Sequence, residues 1–221
     1  MFNEIGNIVI IGLEARKDRW DRCKEILQQN AISPVTHFTT KQDFQDTHRH
    51  YMKDFLRMLR LCTRGEYLCF FEDDFELIEG WEDILRQAWD EIPKDFDMLY
   101  LGANLTGEAS FISKHLVRLR GAWLMHAVIM SRPFIQYILK TYDLNRIWII
   151  DEFFRRIAPY KKFYMTYPMI SFQRNGFSDA VGRYIYYDIY NNEFYKKLHE
   201  DYSTRTWLSA TPERRSRVDV T

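Results

Sequence analysis

The sequence predicts an α/β fold, a mostly parallel central sheet with helices on both faces, and three observations carry that expectation. Short apolar runs alternate along the chain with stretches whose apolar residues recur at helical spacing, as in β-α units. The run Y-L-C-F-F, Tyr67–Phe71, is apolar almost throughout, as a strand buried on both faces must be. It ends abruptly in Glu72, Asp73 and Asp74, and two other segments, Arg16/Arg19 and Asp151/Glu152, bring charge to the same predicted edge. Ligands of open α/β sheets sit outside the carboxyl ends of the strands.

At 221 residues the chain is long enough for one substantial core, expected over residues 1–184, with a C-terminal aromatic helix packed on the body and a mobile tail over 185–221. Lysine plus arginine equals aspartate plus glutamate at 31 each, which removes any global electrostatic case for nucleic acid. Cys23, Cys62 and Cys69 fall on apolar-patterned segments without a C-x-x-C pair and read as reduced core residues. The opening M-F-N-E-I-G-N-I-V-I-I-G carries an early acid and too short an apolar run for a signal peptide. No stretch approaches the roughly 20 apolar residues of a membrane span, so a soluble, cytoplasmic protein is expected.

Taken in order, Asn7–Leu13 reads as a buried strand ended by Gly12 and the polar switch at Glu14. A helix follows, with Asp18 as expected N-cap and Trp20, Cys23, Ile26 and Leu27 inward. Arg16 and Arg19 thus lie in the first strand-to-helix turn, either as a solvated basic turn or as a seat for a diphosphate. Pro34 precedes a short strand at Thr36–Thr39, and Thr47–Thr63 reads as a helix burying Tyr51, Phe55, Met58, Leu59 and Cys62. His48 and His50, two apart, cannot share a helix face and are expected at the surface. After the acidic strand come a helix from Gly80-Trp81 to about Trp89 and a strand at Met98–Leu101, ending in G-A-N-L.

Thr106–His115 reads as a crossing loop and Val117–Leu119 as a short edge strand. Ala122–Met130 is apolar enough for one further central strand, with His126 a core histidine. Ser131 and Pro133 start a helix, Pro being welcome in a first turn. Trp148–Ile157 places an acid pair at a helix start, where Asp151 is either a cap or a base facing a pocket. Phe163–Pro168 is the last predicted strand, Ile170–Asp179 a turn-rich loop returning towards the site, and Tyr184–Leu198 an aromatic helix.

Three adjacent carboxylates repel one another, and a hard cation such as Mg²⁺ or Mn²⁺ relieves that while sharing a phosphate-bearing substrate. The alternative is a solvated acidic loop. Strand geometry sends alternate side chains to opposite faces, so Glu72 and Asp74 are expected to point one way and Asp73 the other.

The order of motifs resembles glycosyltransferase family 25, the lipopolysaccharide and collagen-type galactosyltransferase group, over about Asn7 to Gly182. The likeness rests on I-V-I-I-G-L-E-A-R-K-D-R-W, F-F-E-D-D-F, L-Y-L-G-A-N, G-A-W-L-M-H-A-V-I-M-S-R, I-D-E-F-F and Y-P-M-I-S-F-Q-R-N-G-F-S-D. It implies a GT-A fold and transfer of a hexose, typically from a UDP-sugar, with Mn²⁺ or Mg²⁺ at a D-x-D-type motif. Carried over, Glu72 contacts the donor, Asp74 binds the metal, and Asp73 either supports these acids from behind or binds the metal through water. Gln173 falls where related enzymes carry a late histidine ligand, with Ser178 and Asp179 as substitutes. The family's Gly-Cys-x-x-Ser-His segment has no counterpart; Asp46–His50 lies nearby without matching.

The expected site therefore has Leu13, Arg16, Arg19, Glu72, Asp73, Asn104, Gly121 and Trp123 on the donor and Asp74 and Gln173 on the metal. Asp151 is the expected base of an inverting transfer, with Glu152 in reserve. The expected acceptor is a glycan or lipid-linked saccharide. Two other readings remain: a metal-dependent nucleotidyltransferase or phosphohydrolase, and a module that keeps donor or glycan affinity without catalysis.

Overall fold

A computed structural model describes residues 2–41, 47–62, 65–143, 146–147, 149–188 and 191–205; the expectations for Asp46, Thr63, Trp148 and the tail from 206 lie outside them. A short helix α1 (Phe2–Ile5) leads into β1 (Gly6–Leu13), α2 (Lys17–Gln29), β2 (Thr36–Thr40) and α3 (Thr47–Leu61). Next come β3 (Tyr67–Glu72), β4 (Phe75–Leu77), α4 (Trp81–Glu91) and β5 (Met98–Tyr100). The middle of the chain holds β6 (Asn104–Leu105), β7 (Ala109–Phe111), β8 (Leu116–Leu119), β9 (Ala122–Trp123) and β10 (Ala127–Ser131). It closes with α5 (Arg132–Thr141), α6 (Ile150–Ile157), β11 (Phe163–Thr166), β12 (Ser171–Gln173), β13 (Gly176–Ser178), β14 (Arg183–Ile185) and α7 (Glu193–Thr204).

Among the described residues the main sheet has the order β2-β1-β3-β10-β5-β11-β8-β7. β1 pairs in parallel with both β2 and β3, and β11 with β5, while β10 and β8 run against their neighbours. All strands of the sheet but β10 and β8 thus run in one direction, so it is mostly parallel in strand direction although four of its seven pairings are antiparallel. From β1 the chain moves to β2 on one side and β3 on the other. That reversal opens a crevice beyond the carboxyl ends of β1 and β3, the place where such sheets bind ligands.

Strand alternation sorts side chains into two cores. Val9, Ile11, Leu68, Phe70, Val128 and Met130 face one, covered by Met52, Phe55 and Leu59 of α3, Phe134 of α5 and Phe154 of α6. Ile8, Ile10, Cys69, Phe71, Ala127 and Ile129 face the other, covered by Trp20, Cys23 and Ile26 of α2 and Leu85 of α4. Helices on both faces follow from this partition. No helix among the described residues is long and apolar enough to cross a membrane.

Several local expectations are corrected. Ala122–Met130 is not one strand: Leu124 takes φ 74°, breaking the run into β9, which pairs with β6, and β10, which enters the main sheet antiparallel. An apolar pattern does not reveal a left-handed residue. Thr106–His115 contains β7, which pairs outside β8, so Val117–Leu119 is not the edge. Ile170–Asp179 carries β12, on β4, and β13, on β14. The aromatic run opens with β14, not a helix, and α7 begins at Glu193, where the Asn192 side chain caps it by accepting from the amides of Phe194 and Tyr195. Asp18 lies inside the first turn of α2, since Arg16 is the N-cap residue and binds the Asp18 carboxylate itself.

Candidate active site

The crevice at the ends of β1 and β3 is a cavity of about 260 Å³. Ile11, Gly12 and Leu13 of β1 form its floor with Thr40 of β2; Glu72, Asp73 and Asp74 come from β3 and its turn. Leu124, Ile150 and Asp151 enter from the kink and the start of α6, and Gln173 with residues 178–181 and Tyr187 close it from the side of the β13–β14 hairpin. The floor is held by the Trp20 indole, which donates to the Leu13 carbonyl at 2.9 Å. Gly12 is required by proximity: a Cβ there would come within 2.4 Å of Asp73 Oδ2.

The acids divide between two neighbours. Glu72 ends the strand on the α3 side and accepts from the Tyr51 hydroxyl at 2.7 Å. Alternation stops there, because Asp73 and Asp74 form a turn. Arg19 Nη1 therefore reaches both, at 2.7 Å to Asp73 Oδ1 and 3.1 Å to Asp74 Oδ2, correcting the expectation that Asp74 would side with Glu72 against Asp73. Gln173 Nε2 donates to the same Asp74 Oδ2 at 3.0 Å. Asp74 Oδ1, Gln173 Oε1 and Asp151 Oδ1 are buried and have no hydrogen-bond partner among the described residues.

Burial and mutual repulsion hold these carboxyls above their ordinary range. Glu72 lines the cavity yet is desolvated enough to be pushed up to about 8, first by burial and then by the charges of Asp74 and Asp151, against the Tyr51 hydrogen bond. Burial lifts Asp73 to about 6 against the pull of Arg19, and raises Asp74 against Arg19 and Gln173. Asp151 rises to about 6 by burial, opposed by the polar amides of the nearby Leu124 and Met125. Leu124, which lines the cavity beside Asp151, takes φ 74°, a strained residue at a candidate site.

A stability consequence follows from Glu72. Its folded value exceeds the ordinary 4.5, so its contribution is fully present below that value and is lost as pH rises through about 8. Glu72→Gln keeps an acceptor for Tyr51 and removes the charge. Its melting temperature is expected to exceed wild type by several degrees at pH 8, on the order of a few kcal/mol, with the gap narrowing towards pH 5. Equal melting curves at pH 8 would remove the electrostatic conflict from the account.

Other expected residues lie elsewhere. Glu152 points along the outer face of α6, bound by Arg155 and Arg156 at 2.6–2.9 Å, and does not line the cavity. Asn104 and Trp123 pair across the β6–β9 ladder, and Asn104 Oδ1 accepts from Asn192 at 2.7 Å. Gly121 packs against Thr106 and Gly107, and none of these three lines the cavity. The kink at Leu124 separates them from it. Arg16 does not line it either; it donates to Asp179 at 2.5 Å and to the Phe177 carbonyl at 3.2 Å, holding the hairpin in place. His48 is exposed, as expected, but stands on the rim. Sequence reading missed Tyr51 as a partner of Glu72, although its place on the inward face of α3 was visible. Leu124 left no signal.

No protein-family model matches the sequence, and a search of curated proteins finds no match. Among solved structures, the catalytic domain of Drosophila β1,4-galactosyltransferase 7 in complex with xylobiose is similar at TM-score 0.49 and 9% identity, over 90% of this chain and 81% of that one. A197 from STIV is similar at TM-score 0.45 and 14% identity, over 80% and 91%. Mannose-1-phosphate geranyltransferase from Thermus thermophilus is similar at TM-score 0.43 and 10% identity, over 90% and 79%. All three scores lie below 0.5 and assign no role to any residue here.

Proposed function

We propose that this chain is a metal-dependent glycosyltransferase of GT-A type, moving a hexose from a nucleotide diphosphate donor, a UDP-sugar in first choice, to a hydroxyl of a glycan or lipid-linked saccharide. The reading rests above all on one observation. A guanidinium, three clustered acids and a separate buried carboxylate meet at the ends of β1 and β3, with unpartnered oxygens on Asp74, Gln173 and Asp151.

Among the described residues no group of three or more His, Cys, Asp or Glu side chains is arranged to hold a metal, so a hard cation would rest on few protein oxygens. Asp74 Oδ1 and Gln173 Oε1 belong to side chains already hydrogen-bonded to each other, and Mg²⁺ or Mn²⁺ takes one or two such ligands while water and phosphate supply the rest. When bound, the ion supplies Lewis-acid stabilisation of the charge that grows on the departing diphosphate.

The remaining work falls to the chain's own groups. Arg19 donates charge-assisted hydrogen bonds to the diphosphate from the first turn of α2. Glu72, fixed by Tyr51, contacts donor hydroxyls. Asp151 takes the proton of the attacking hydroxyl, an inverting arrangement in which the base stands across the sugar from the leaving group.

Thermal shift with UDP, GDP and CMP, each with and without Mn²⁺, tests the reading. A ligand at about 100 times its dissociation constant adds about 2.7 kcal/mol, a shift of several degrees for a domain of this size. The expected result is a UDP shift that needs Mn²⁺, followed by UDP release from a UDP-hexose. No shift with any nucleotide overturns the donor site, and binding without release favours a module that has lost catalysis.

A further inference from the structure

Arg19 sits where a cation is wanted. Its Nη1 bridges Asp73 and Asp74, its Nη2 donates to the Phe177 carbonyl at 2.8 Å, and the three side chains are only 13%, 7% and 7% exposed. Such a bridge is poorly screened by solvent. The nearby arginines do not share the task, because Arg22 and Arg174 are both bound to Glu76 at 2.7–3.1 Å.

We propose that Arg19 is a resident counter-cation that guards Asp74, yielding it to a divalent metal only when an anionic diphosphate engages the guanidinium. The inference rests on the donor-site reading above and deepens it. A metal arriving alone at Asp74 meets a positive charge already bonded to the same carboxylate, in surroundings where like charges repel strongly. A diphosphate cancels that repulsion, since guanidinium and phosphate form bidentate charge-assisted bonds. Metal and nucleotide then enter cooperatively, and by linkage each tightens the other by the same factor. The two aspartates are also spared mutual repulsion while the site waits, which explains why a buried acid pair is tolerated in the unliganded fold.

Contact between metal and phosphate would give cooperativity by itself, so the test isolates the arginine. Mn²⁺ binding is measured directly, by the electron paramagnetic resonance of the free ion, with and without UDP, on wild type, Arg19→Gln, Arg19→Lys and Arg16→Gln. Without nucleotide, Arg19→Gln is expected to bind Mn²⁺ about tenfold more tightly than wild type, within the usual range of coupling between sites. Arg19→Lys, which keeps the charge on a single point, is expected to fall between them and serves if the glutamine variant does not fold. Arg16→Gln removes a charge that acts on Asp73 without bonding Asp73 or Asp74, and is expected to tighten Mn²⁺ binding by clearly less than Arg19→Gln. In Arg19→Gln the gain in Mn²⁺ affinity on adding UDP is expected to shrink. Unchanged or weaker Mn²⁺ binding in both Arg19 variants overturns the proposal while UDP and Mn²⁺ binding by wild type leaves the donor site standing. A wild type that binds neither ligand removes the donor-site reading, and this inference with it.

Discussion

Asp151→Asn is expected to lower the rate of sugar transfer by a factor of about 10² to 10⁴, the usual contribution of a positioned general base, while leaving UDP affinity close to wild type. The asparagine keeps the size and shape of the buried side chain, so the start of α6 is expected to be preserved. What it loses is the capacity to take a proton. Asp151 titrates near 6 because burial outweighs the Leu124 and Met125 amides. A base works when deprotonated, so kcat/KM of wild type rises with pH through about 6 and levels above it. In Asp151→Asn that limb disappears. Asp73 also lies near 6, but it is paired with Arg19, and survival of the limb in Asp73→Asn assigns it to Asp151. Glu152→Gln, on the outer face of α6, is expected to transfer at the wild-type rate. Equal rates for Asp151→Asn and wild type would remove Asp151 from the chemistry.

The contrast between these neighbours shows what the sequence could and could not convey. The strands of the parallel half are legible because β-branched and aromatic runs such as I-V-I-I and Y-L-C-F-F have no comfortable place except a doubly covered sheet. A charge placed just after such a run must emerge at the strand's end, which is why the place of Glu72, Asp73, Asp74 and Arg19 at one edge of the sheet could be read from pattern alone. Asp151 and Glu152 are different. They are about 100° apart on a helix, and which one faces the cavity depends on how α6 rests on the body. The Asn104, Gly121 and Trp123 expectation placed on the donor three residues that do not line this cavity. It rested on an amide and an aromatic face matching a hexose, which says nothing of position, and in the fold φ 74° at Leu124 ends β9, which pairs with β6. Gln173 was reached only through resemblance, yet its side chain bonds Asp74 across 99 residues of sequence. No local rule predicts such a contact.

Asp74→Asn is expected to abolish the Mn²⁺-dependent part of the UDP thermal shift and to reduce turnover by at least about 10²-fold. The magnitude follows from the several kcal/mol that a cation contributes to a charged leaving group, at about 1.4 kcal/mol per factor of ten. The substitution preserves size, and Arg19 keeps Asp73 and the Phe177 carbonyl, so the fold and the hairpin are expected to survive and a circular dichroism melt checks that. The chemical change is confined to the oxygens. An asparagine that continues to accept from Arg19 and Gln173 with its carbonyl must direct its amide towards the place where Asp74 Oδ1 now lies without a partner. A donor then stands where a metal needs an acceptor. UDP alone still finds the guanidinium, so a small metal-independent shift remains, and its persistence separates loss of the cation from loss of the whole donor site. Full turnover and an intact Mn²⁺-dependent shift in Asp74→Asn would mean that the acids after β3 serve Arg19 alone, and the metal would have to be sought elsewhere.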